Sequence, residues 1–401
     1  MPVRLEAVPA GVSMPTPPRW MVWLLLFFML TTFGVVLTLM LWPKGMPTYG
    51  ARFWLILGIS PLVWALLFGF RLHAYDEQIN YANLRNQLRE ERLASETRRG
   101  QRAIRVIASA YETALGNADM DVLLLNGGDG FRQIVPLGGT DMVRCSTLPE
   151  GLRGTDSTSP PAAALIGHLL RRLGDDLQAV PKNVPVHVRL QVDAGIDNAA
   201  LVAAWHEASK DWLPKVASLR LIEPTVGLLV LDQWLDAAAS ELERAVLLAV
   251  ALQLRPTPAD QEGEAAAAVL CHLGLERAAC LVDIHRPAEF DPGNLKQQYA
   301  EALLWGTRDA QSFDAWWTSG FEPEFLNSMK SVIDASQFGE ARSEGHQQFT
   351  LDVALGQTGA ASGWLGVATA IERCRKEIAP QLVVTNEQGH HRMLVIAPLQ
   401  A

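Results

Sequence analysis

Residues 354–363 read ALGQTGAASG, a turn of small residues that leads into a predicted helix at 363–378. A second stretch of small residues, EGEAAAAVL at 262–270, runs into a predicted strand at 265–270. The strand residues themselves, 265–270, carry no charge, which is typical of a strand that is buried on both faces. The second half of the chain is therefore predicted to contain a buried strand and a helix of small residues.

Outward from these stretches, strand-like and helix-like segments alternate through residues 116–401. The predicted strands are 121–125, 184–192, 226–231, 265–270, 279–284, 349–353, 381–385 and 391–396. The predicted helices are 162–173, 199–209, 237–254, 295–304, 325–333 and 363–378. Short apolar strands that alternate with helices predict an α/β domain whose sheets are covered on both faces.

Three segments resemble the thiolase and β-ketoacyl synthase superfamily. Residues 354–363 are similar to the family's Gly-His-Thr/Pro-x-Gly-Ala-Ala/Ser-Gly turn, and residues 262–270 resemble the ketosynthase stretch before a buried strand. Residues 389–396 lie where the family has a Gly-rich turn followed by its last strand. The resemblance implies a thiolase-like layered α/β domain at 116–401, and with it a homodimer formed through that domain.

The residues that carry the family's chemistry do not match. In that family a cysteine at a helix N-terminus is acylated, and histidines stabilise the enolate or oxyanion. Gln357 stands in the place of the turn histidine, and an amide cannot exchange protons near neutral pH. Residues 197–200, DNAA, align with the family's Asp-Thr-Ala-Cys and put Ala200 at the cysteine position. The resemblance therefore implies a pseudoenzyme with no catalytic residues.

Other sites for a nucleophile, cofactor or metal ion are not indicated. The four cysteines, Cys145, Cys271, Cys280 and Cys374, have no paired spacing and are expected to be small buried hydrophobes. The glycines of 126–131, NGGDGF, match neither a dinucleotide-binding fingerprint nor a P-loop, and no HExxH pattern occurs. We therefore predict no cofactor and no metal site.

Two uncharged segments near the N-terminus, 21–42 and 53–70, predict a transmembrane hairpin. Tryptophans bracket the first segment, as is common at membrane interfaces. The alternatives are a pair of buried core helices or a cleaved signal peptide, but no small-x-small cleavage site follows the first segment. The expected organisation is a tail at 1–19, a hairpin at 20–70, a helical stalk at 71–115 and the α/β domain.

The charge distribution predicts the orientation of the hairpin. Residues 1–105 carry 12 Lys and Arg against 6 Asp and Glu, and most of these cations follow the second segment. The hairpin is therefore expected to lie in a bacterial inner membrane, in contact with membrane lipid. Both termini are expected on the cytoplasmic side. The remaining residues carry 22 Lys and Arg against 37 Asp and Glu, a net charge of −15 that argues against nucleic-acid binding.

Four aromatic residues, Trp305, Trp316, Trp317 and Phe321, occur close together in the sequence. They predict either core packing or a partner-binding patch, because aromatic side chains often anchor protein interfaces. The leading hypothesis is a membrane-anchored, non-catalytic adaptor whose partner is a secreted effector or a component of a bacterial secretion system, with type VI secretion as the expected association. The alternatives are an immunity protein that captures a toxic effector and a membrane-tethered acyl-transfer or condensing enzyme.

Overall fold

The computed structural model describes residues 3, 5–136, 141–152, 161–213, 216–237, 245–273, 282–306, 313–336 and 346–399. The chain divides into two compact units, of which the first comprises Arg4–Thr97 and the second Arg98–Ala401 with Met1–Val3.

The first unit contains two helices that are long and apolar enough to cross a membrane. They are α1 (Trp20–Leu41), with a mean hydropathy of 2.5, and α2 (Ala51–Gly100), whose apolar window has a mean hydropathy of 2.1. The two helices touch through small residues, because a Cβ at Gly34 would lie 1.8 Å from Oγ of Ser60. The indole Nε1 of Trp64 donates to the carbonyl of Trp23 at 2.8 Å. Only 6% of each apolar window is buried, so these helices differ from the core helices of a soluble protein.

The second unit is a mixed α/β domain. Its helices of five or more residues are α3 (Met120–Leu125), α4 (Pro161–Arg172), α5 (Gly174–Gln178), α6 (Asn198–Ser209), α7 (Leu229–Asp236), α8 (Leu295–Trp305), α9 (Pro323–Ser336), α10 (Leu351–Leu355) and α11 (Ser362–Glu377). Its strands are β1 (Ala103–Thr113), β2 (Phe131–Ile134), β3 (Val143–Ser146), β4 (Val186–Asp193), β5 (Ser218–Leu221), β6 (Val246–Gln253), β7 (Ala265–His272), β8 (Val282–His285), β9 (Ala288–Phe290), β10 (Ala315–Ser319), β11 (Gln347–Thr350), β12 (Gln381–Glu387) and β13 (His390–Pro398).

The large sheet consists of two halves with the same strand arrangement. The first half has the order β5-β4-β6-β7-β1 and the second the order β11-β10-β12-β13-β8. In each half the first three strands are parallel and the fourth, β7 or β13, is antiparallel to its neighbours. The halves join where β1 pairs with β8. Helix α7 lies between β5 and β6 in the chain, and α11 lies between the equivalent strands β11 and β12.

Both faces of the sheet are covered, as the sequence predicted. Every residue of β6 and β7 is buried, and alternate residues enter two separate apolar clusters. One cluster includes α11, which packs on strands of both halves and has twelve buried residues. The other includes α4 and α6, so these helices cover the opposite face of the first half.

The predicted stalk helix is too long at its C-terminal end. Helix α2 ends at Gly100, and residues 103–113, which the sequence prediction placed in the helix, form β1. Buried and partly exposed residues alternate along most of β1, which is the pattern of a strand. A Cβ at Gly100 would lie 2.1 Å from the Trp305 ring, so glycine permits this close approach.

Three short apolar runs were assigned to the wrong element. Residues 121–125, predicted as a strand, lie in α3, and residues 226–231, also predicted as a strand, form a turn and the start of α7. The predicted helix at 237–254 contains β6, while its residues 238–244 lie outside the described part of the chain. A short run of buried apolar residues fits a helix or a strand equally well.

The remaining assignments are confirmed with small shifts. The predicted strand at 349–353 ends at Thr350, where α10 follows. Of the predicted strand at 279–284, residues 282–284 lie in β8 and the others lie outside the described residues.

Candidate functional site

The starts of α7 and α11, equivalent helices in the two halves, are joined by buried glutamines. Gln191 and Gln253 lie at the carboxyl ends of the parallel strands β4 and β6 and are 2% and 0% exposed. Nε2 of Gln191 donates to the carbonyl of Ala360 at 2.9 Å and to that of Pro224 at 3.3 Å. The amide of Ala360 donates to Oε1 of Gln253 at 2.9 Å. Carboxyl ends of parallel strands are the usual place for a ligand site in an α/β sheet.

An ion pair fills this junction. Arg392 donates to the carboxylate of Glu387, and each side chain is 1% exposed. The second Nη of Arg392 donates to the carbonyl of Thr225 at 2.8 Å, and the amide of Leu228 donates to Glu387 at 3.1 Å. Burial raises the pKa of Glu387, and the adjacent Arg392 opposes that shift. The pair thereby ties the turn before α7 to the β12–β13 hairpin.

Two glycines show how closely the backbone approaches the carboxylate. A Cβ at Gly227 would lie 2.0 Å from an oxygen of Glu387, and one at Gly363 would lie 2.1 Å from the other. Gly227 also has a φ of +44°, which disfavours other residues. There is consequently no room for an acyl chain between these two helix starts and the carboxylate.

Several buried polar atoms near the start of α11 have no hydrogen-bond partner among the described residues. They are Oγ1 of Thr358, Oγ of Ser362, Nε2 of Gln253 and Nε of Arg392. Buried polar atoms of this kind are commonly satisfied by ordered water. They could hold a few water molecules or a small polar ligand, but none of them is a nucleophile with an adjacent base.

No described cysteine lies at a helix N-terminus. Cys145 is in β3, Cys271 in β7 and Cys374 near the end of α11, and all three are buried. Burial raises the pKa of the Cys271 thiol, which opposes thiolate formation. The fourth cysteine, Cys280, lies outside the described residues.

The structure does not unite the two positions that the sequence proposed for the degenerate site. Ala200 lies in the first turn of α6, where its amide donates to Oδ1 of Asp197 at 2.7 Å, and α6 packs on α4. Gln357 is exposed, and its backbone pairs with Glu262. Helix α6 lies between β4 and β5 in the chain, whereas α11 lies between β11 and β12, which are equivalent to β5 and β6, so the two positions are not topologically equivalent. Residues 224–228, before α7, are the positions in the first half that face the start of α11.

A cavity of about 330 Å³ lies beside this junction, at the ends of β4 and β6. Its charged lining residues are Arg255 and Glu264. Arg255 pairs with Asp193 at 2.9 Å and with Glu262 at 3.1 Å, so its charge is neutralised. The described lining contains neither cysteine nor histidine. Across the described ranges no group of three or more metal-ligating side chains occurs.

The aromatic residues singled out in the sequence separate into two environments. Trp305, Trp316 and Trp317 are 1%, 2% and 0% exposed, so they are core residues and offer no surface to a partner. Phe321 is partly exposed and belongs to another ring cluster. That cluster consists of Phe290, Phe321, Phe325 and His391.

Comparison with known proteins supports the fold. No protein-family model and no curated protein matches the sequence. The ishigamide ketosynthase/chain length factor is similar in structure with a TM-score of 0.57 and 15% identity, over 74% of this chain and 100% of that chain. A ketosynthase from module 6 of the bacillaene synthase of Bacillus subtilis 168 has a TM-score of 0.55 and 13% identity, over 75% and 71%. An oxazolomycin ketosynthase domain of Streptomyces albus JA3453 has a TM-score of 0.57 and 11% identity, over 75% of each chain.

These similarities define the class of the domain: it has the thiolase-like fold of the ketosynthases. The prediction of a thiolase-like α/β domain after a two-helix apolar segment is confirmed. Identities of 11% to 15% show the fold alone.

The sequence prediction missed the residues that build the junction. Gln253 follows a run of buried apolar residues, and such a polar residue at the end of a buried strand was an available signal. Gln191 follows the alternating segment of β4 and has no such signal. Glu387 and Arg392 lie on either side of the Gln388–Gly389 turn, and no local pattern reveals that both side chains are buried.

Proposed function

We propose that this protein is a non-catalytic protein-binding adaptor that the hairpin holds at a bacterial inner membrane, with the α/β domain in the cytoplasm. The observation that carries the proposal is the closed junction. The turn before α7 and the start of α11 meet around the Glu387–Arg392 pair, where the carboxylate occupies the space beside both backbones. A condensing enzyme needs an accessible nucleophile at such a place, and the described residues supply none.

The hairpin supports the membrane part of the proposal. The exposed apolar windows of α1 and α2 need cover, and lipid hydrocarbon provides it over the length of each window. A protein fixed in a membrane raises the local concentration of whatever its soluble domain binds. We expect a secreted effector or a component of a secretion system, type VI secretion first, as the partner. An immunity protein against a toxic effector would have the same architecture.

The test is affinity purification of the detergent-extracted full chain from its native host, followed by mass spectrometry. We expect one companion in stoichiometric amount. The same extraction with a variant of the hairpin alone is the matched control, because it carries the membrane segments without the proposed binding domain. Recovery of the same companion by the hairpin would contradict a role for the domain.

A second measurement addresses catalysis. The purified chain is incubated with acetyl-CoA and with octanoyl-CoA, and its intact mass is recorded beside that of an active ketosynthase. We expect no acyl adduct on this protein. An adduct that disappears in the Cys280→Ala variant would reject the non-catalytic proposal in favour of a membrane-tethered acyl-transfer or condensing enzyme.

A further inference from the structure

Four rings form one cluster at the surface of the α/β domain, here called the ring face: Phe290, Phe321, Phe325 and His391. The rings of Phe321 and Phe325 stack at 4.2 Å between centroids, and His391 lies 5.5 Å from Phe321 and 6.1 Å from Phe325. Phe290 is buried beneath them, while the other three rings remain partly exposed. The ring planes lie within 10° to 32° of one another, so the rings are nearly parallel, and Phe321 and Phe325 stack on each other.

Contacts on both sides of Gly320 hold Phe321 in place. The amide of Gly320 donates to Oδ2 of Asp352 at 2.5 Å, and its carbonyl accepts from Nδ2 of Asn386 at 2.8 Å. Gly320 has a φ of +81°, and a Cβ there would lie 2.6 Å from the carbonyl of Asn386. A ring on a loop fixed in this way loses little conformational entropy on binding, which favours an interface anchor.

Exposed carboxylates adjoin the rings in the sequence. Asp291 follows Phe290, Glu322 follows Phe321, and Glu324 precedes Phe325, and all three are exposed. Glu289 lies on the other face of β9, because successive side chains of a strand point to opposite faces. The cations adjacent in sequence do not offset them. His390 pairs with Glu289 at 3.1 Å, and Arg392 is buried against its own carboxylate partner.

His391 adds no charge at neutral pH. Burial lowers its pKa, and the neighbouring His390 lowers it further, although Asp291 acts in the opposite direction. The ring face therefore combines partly exposed aromatic rings with adjacent negative charge. Both features attract a cation, and a planar guanidinium stacks on aromatic rings better than an ammonium does.

We propose that the ring face is the docking site for an arginine-bearing basic segment of the protein partner. This inference rests on the proposed function and names the chemistry of the partner. A second copy of this chain fits less well, because isologous pairing would bring the same carboxylates, those of Asp291, Glu322 and Glu324, together. An anionic membrane surface is repelled for the same reason.

The test uses the detergent-solubilised full chain and three synthetic peptides, GRGRG, GKGKG and GQGQG, titrated by calorimetry at low and physiological salt. We expect GRGRG to bind most tightly, GKGKG more weakly and GQGQG not measurably. The affinity for GRGRG should weaken as salt is added. It should fall about tenfold in Phe321→Ala and in the double variant Glu322→Gln/Glu324→Gln.

Two controls separate binding from folding. Asp175→Asn/Asp176→Asn makes the same change of charge on the exposed positions of α5, and Val353→Ala trims another exposed apolar side chain. Both should bind GRGRG like the unmodified protein. The carboxylate variant retains every ring, so it tests the proposal even if Phe321→Ala unfolds. Unchanged GRGRG affinity in the carboxylate variant would overturn the proposal.

Other outcomes are equally decisive. Self-association by analytical ultracentrifugation that is lost in Phe321→Ala would assign the ring face to a second copy and overturn the proposal. If GRGRG does not bind but the purified chain still recovers a stoichiometric companion, the ring face is not the docking site while the adaptor function stands. If neither peptide nor companion is found, both proposals fail.

Discussion

Replacing Arg392 with methionine should destabilise the α/β domain by several kcal/mol. The change keeps most of the aliphatic stem but removes the cation beside Glu387 and the hydrogen bond to the carbonyl of Thr225. Removing one partner of a buried ion pair lowers the free energy of unfolding by about 3–5 kcal/mol, because the remaining charge is left without compensation. Two lost hydrogen bonds to a charged group, at about 1.5–3 kcal/mol each, give a similar figure.

The double variant Glu387→Gln/Arg392→Met separates the interaction energy of the pair from the contacts that each side chain makes with other residues. It leaves no uncompensated charge, so its loss of stability should be clearly smaller than the sum of the two single losses. The expected coupling energy is about 2 kcal/mol or more. Arg144→Met is the matched control, since Arg144 pairs with Asp129 where the side chains are 47% and 55% exposed. It should change stability by less than about 1 kcal/mol.

Urea unfolding of the full chain in detergent, followed by tryptophan fluorescence, measures these differences. The slope of free energy against urea must be the same in all variants, so that a shifted midpoint reports stability. A pH series provides a further check. In Arg392→Met the buried Glu387 carboxyl should have a raised pKa, so the variant should lose more stability as pH rises through that pKa.

Two results would refute this reasoning. If Arg392→Met lowers the free energy of unfolding by less than about 1 kcal/mol, the Glu387 carboxylate is accessible to water and is not buried. Additive losses in the double variant would mean that Glu387 and Arg392 do not interact. Either result would remove the closed junction on which the non-catalytic proposal depends.

Three further changes test other contacts. Gly363→Ala should cost about 2–3 kcal/mol in urea unfolding, because its Cβ would lie 2.1 Å from a buried carboxylate oxygen, whereas Gly151→Ala, in open space, should cost almost nothing. Burial raises the pKa of Asp352 from 3.8 to about 7, so wild-type stability should fall as pH rises from about 4 to 7, and Asp352→Asn should flatten that dependence. Gly34→Leu should lower the aggregation temperature of the detergent-solubilised chain, because even a Cβ there lies 1.8 Å from Oγ of Ser60.

Sequence patterns predicted the elements whose signal is local. The small-residue turn before α11 and the alternating residues of β4 were assigned correctly because their side chains follow a simple burial rule. The apolar run of β6 was assigned to a helix because all eight of its residues are buried and no alternation remains. Strand β1 was missed because the helix-forming stalk precedes it without a proline.

The candidate site was predicted less well than the fold, and the reason is spatial. Gln357 was found through a local motif, but the residue opposite the start of α11 could be chosen only by knowing which helix is equivalent to α11. The sequence prediction chose Ala200 in α6, whereas the helix equivalent to α11 is α7, the next helix in the chain. Glu387 and Arg392 are paired across a hairpin, and their burial depends on α7 and α11, which lie elsewhere in the sequence.

The two halves share one strand order, but only the second has a recognisable motif. The first ten residues of α11 are buried and the helix packs on strands of both halves, so the small residues at its start are required by packing whether or not a reaction takes place. Helix α7 has only eight residues and ends at Asp236, which binds Arg286 at 2.8 Å. Packing alone does not require a cysteine in the turn before α7, because the backbone there is held by Glu387 and Arg392. The similarity of the α11 segment to the ketosynthase motif is therefore evidence for the fold. Whether the domain can catalyse a reaction depends on residues 224–228, in the turn before α7.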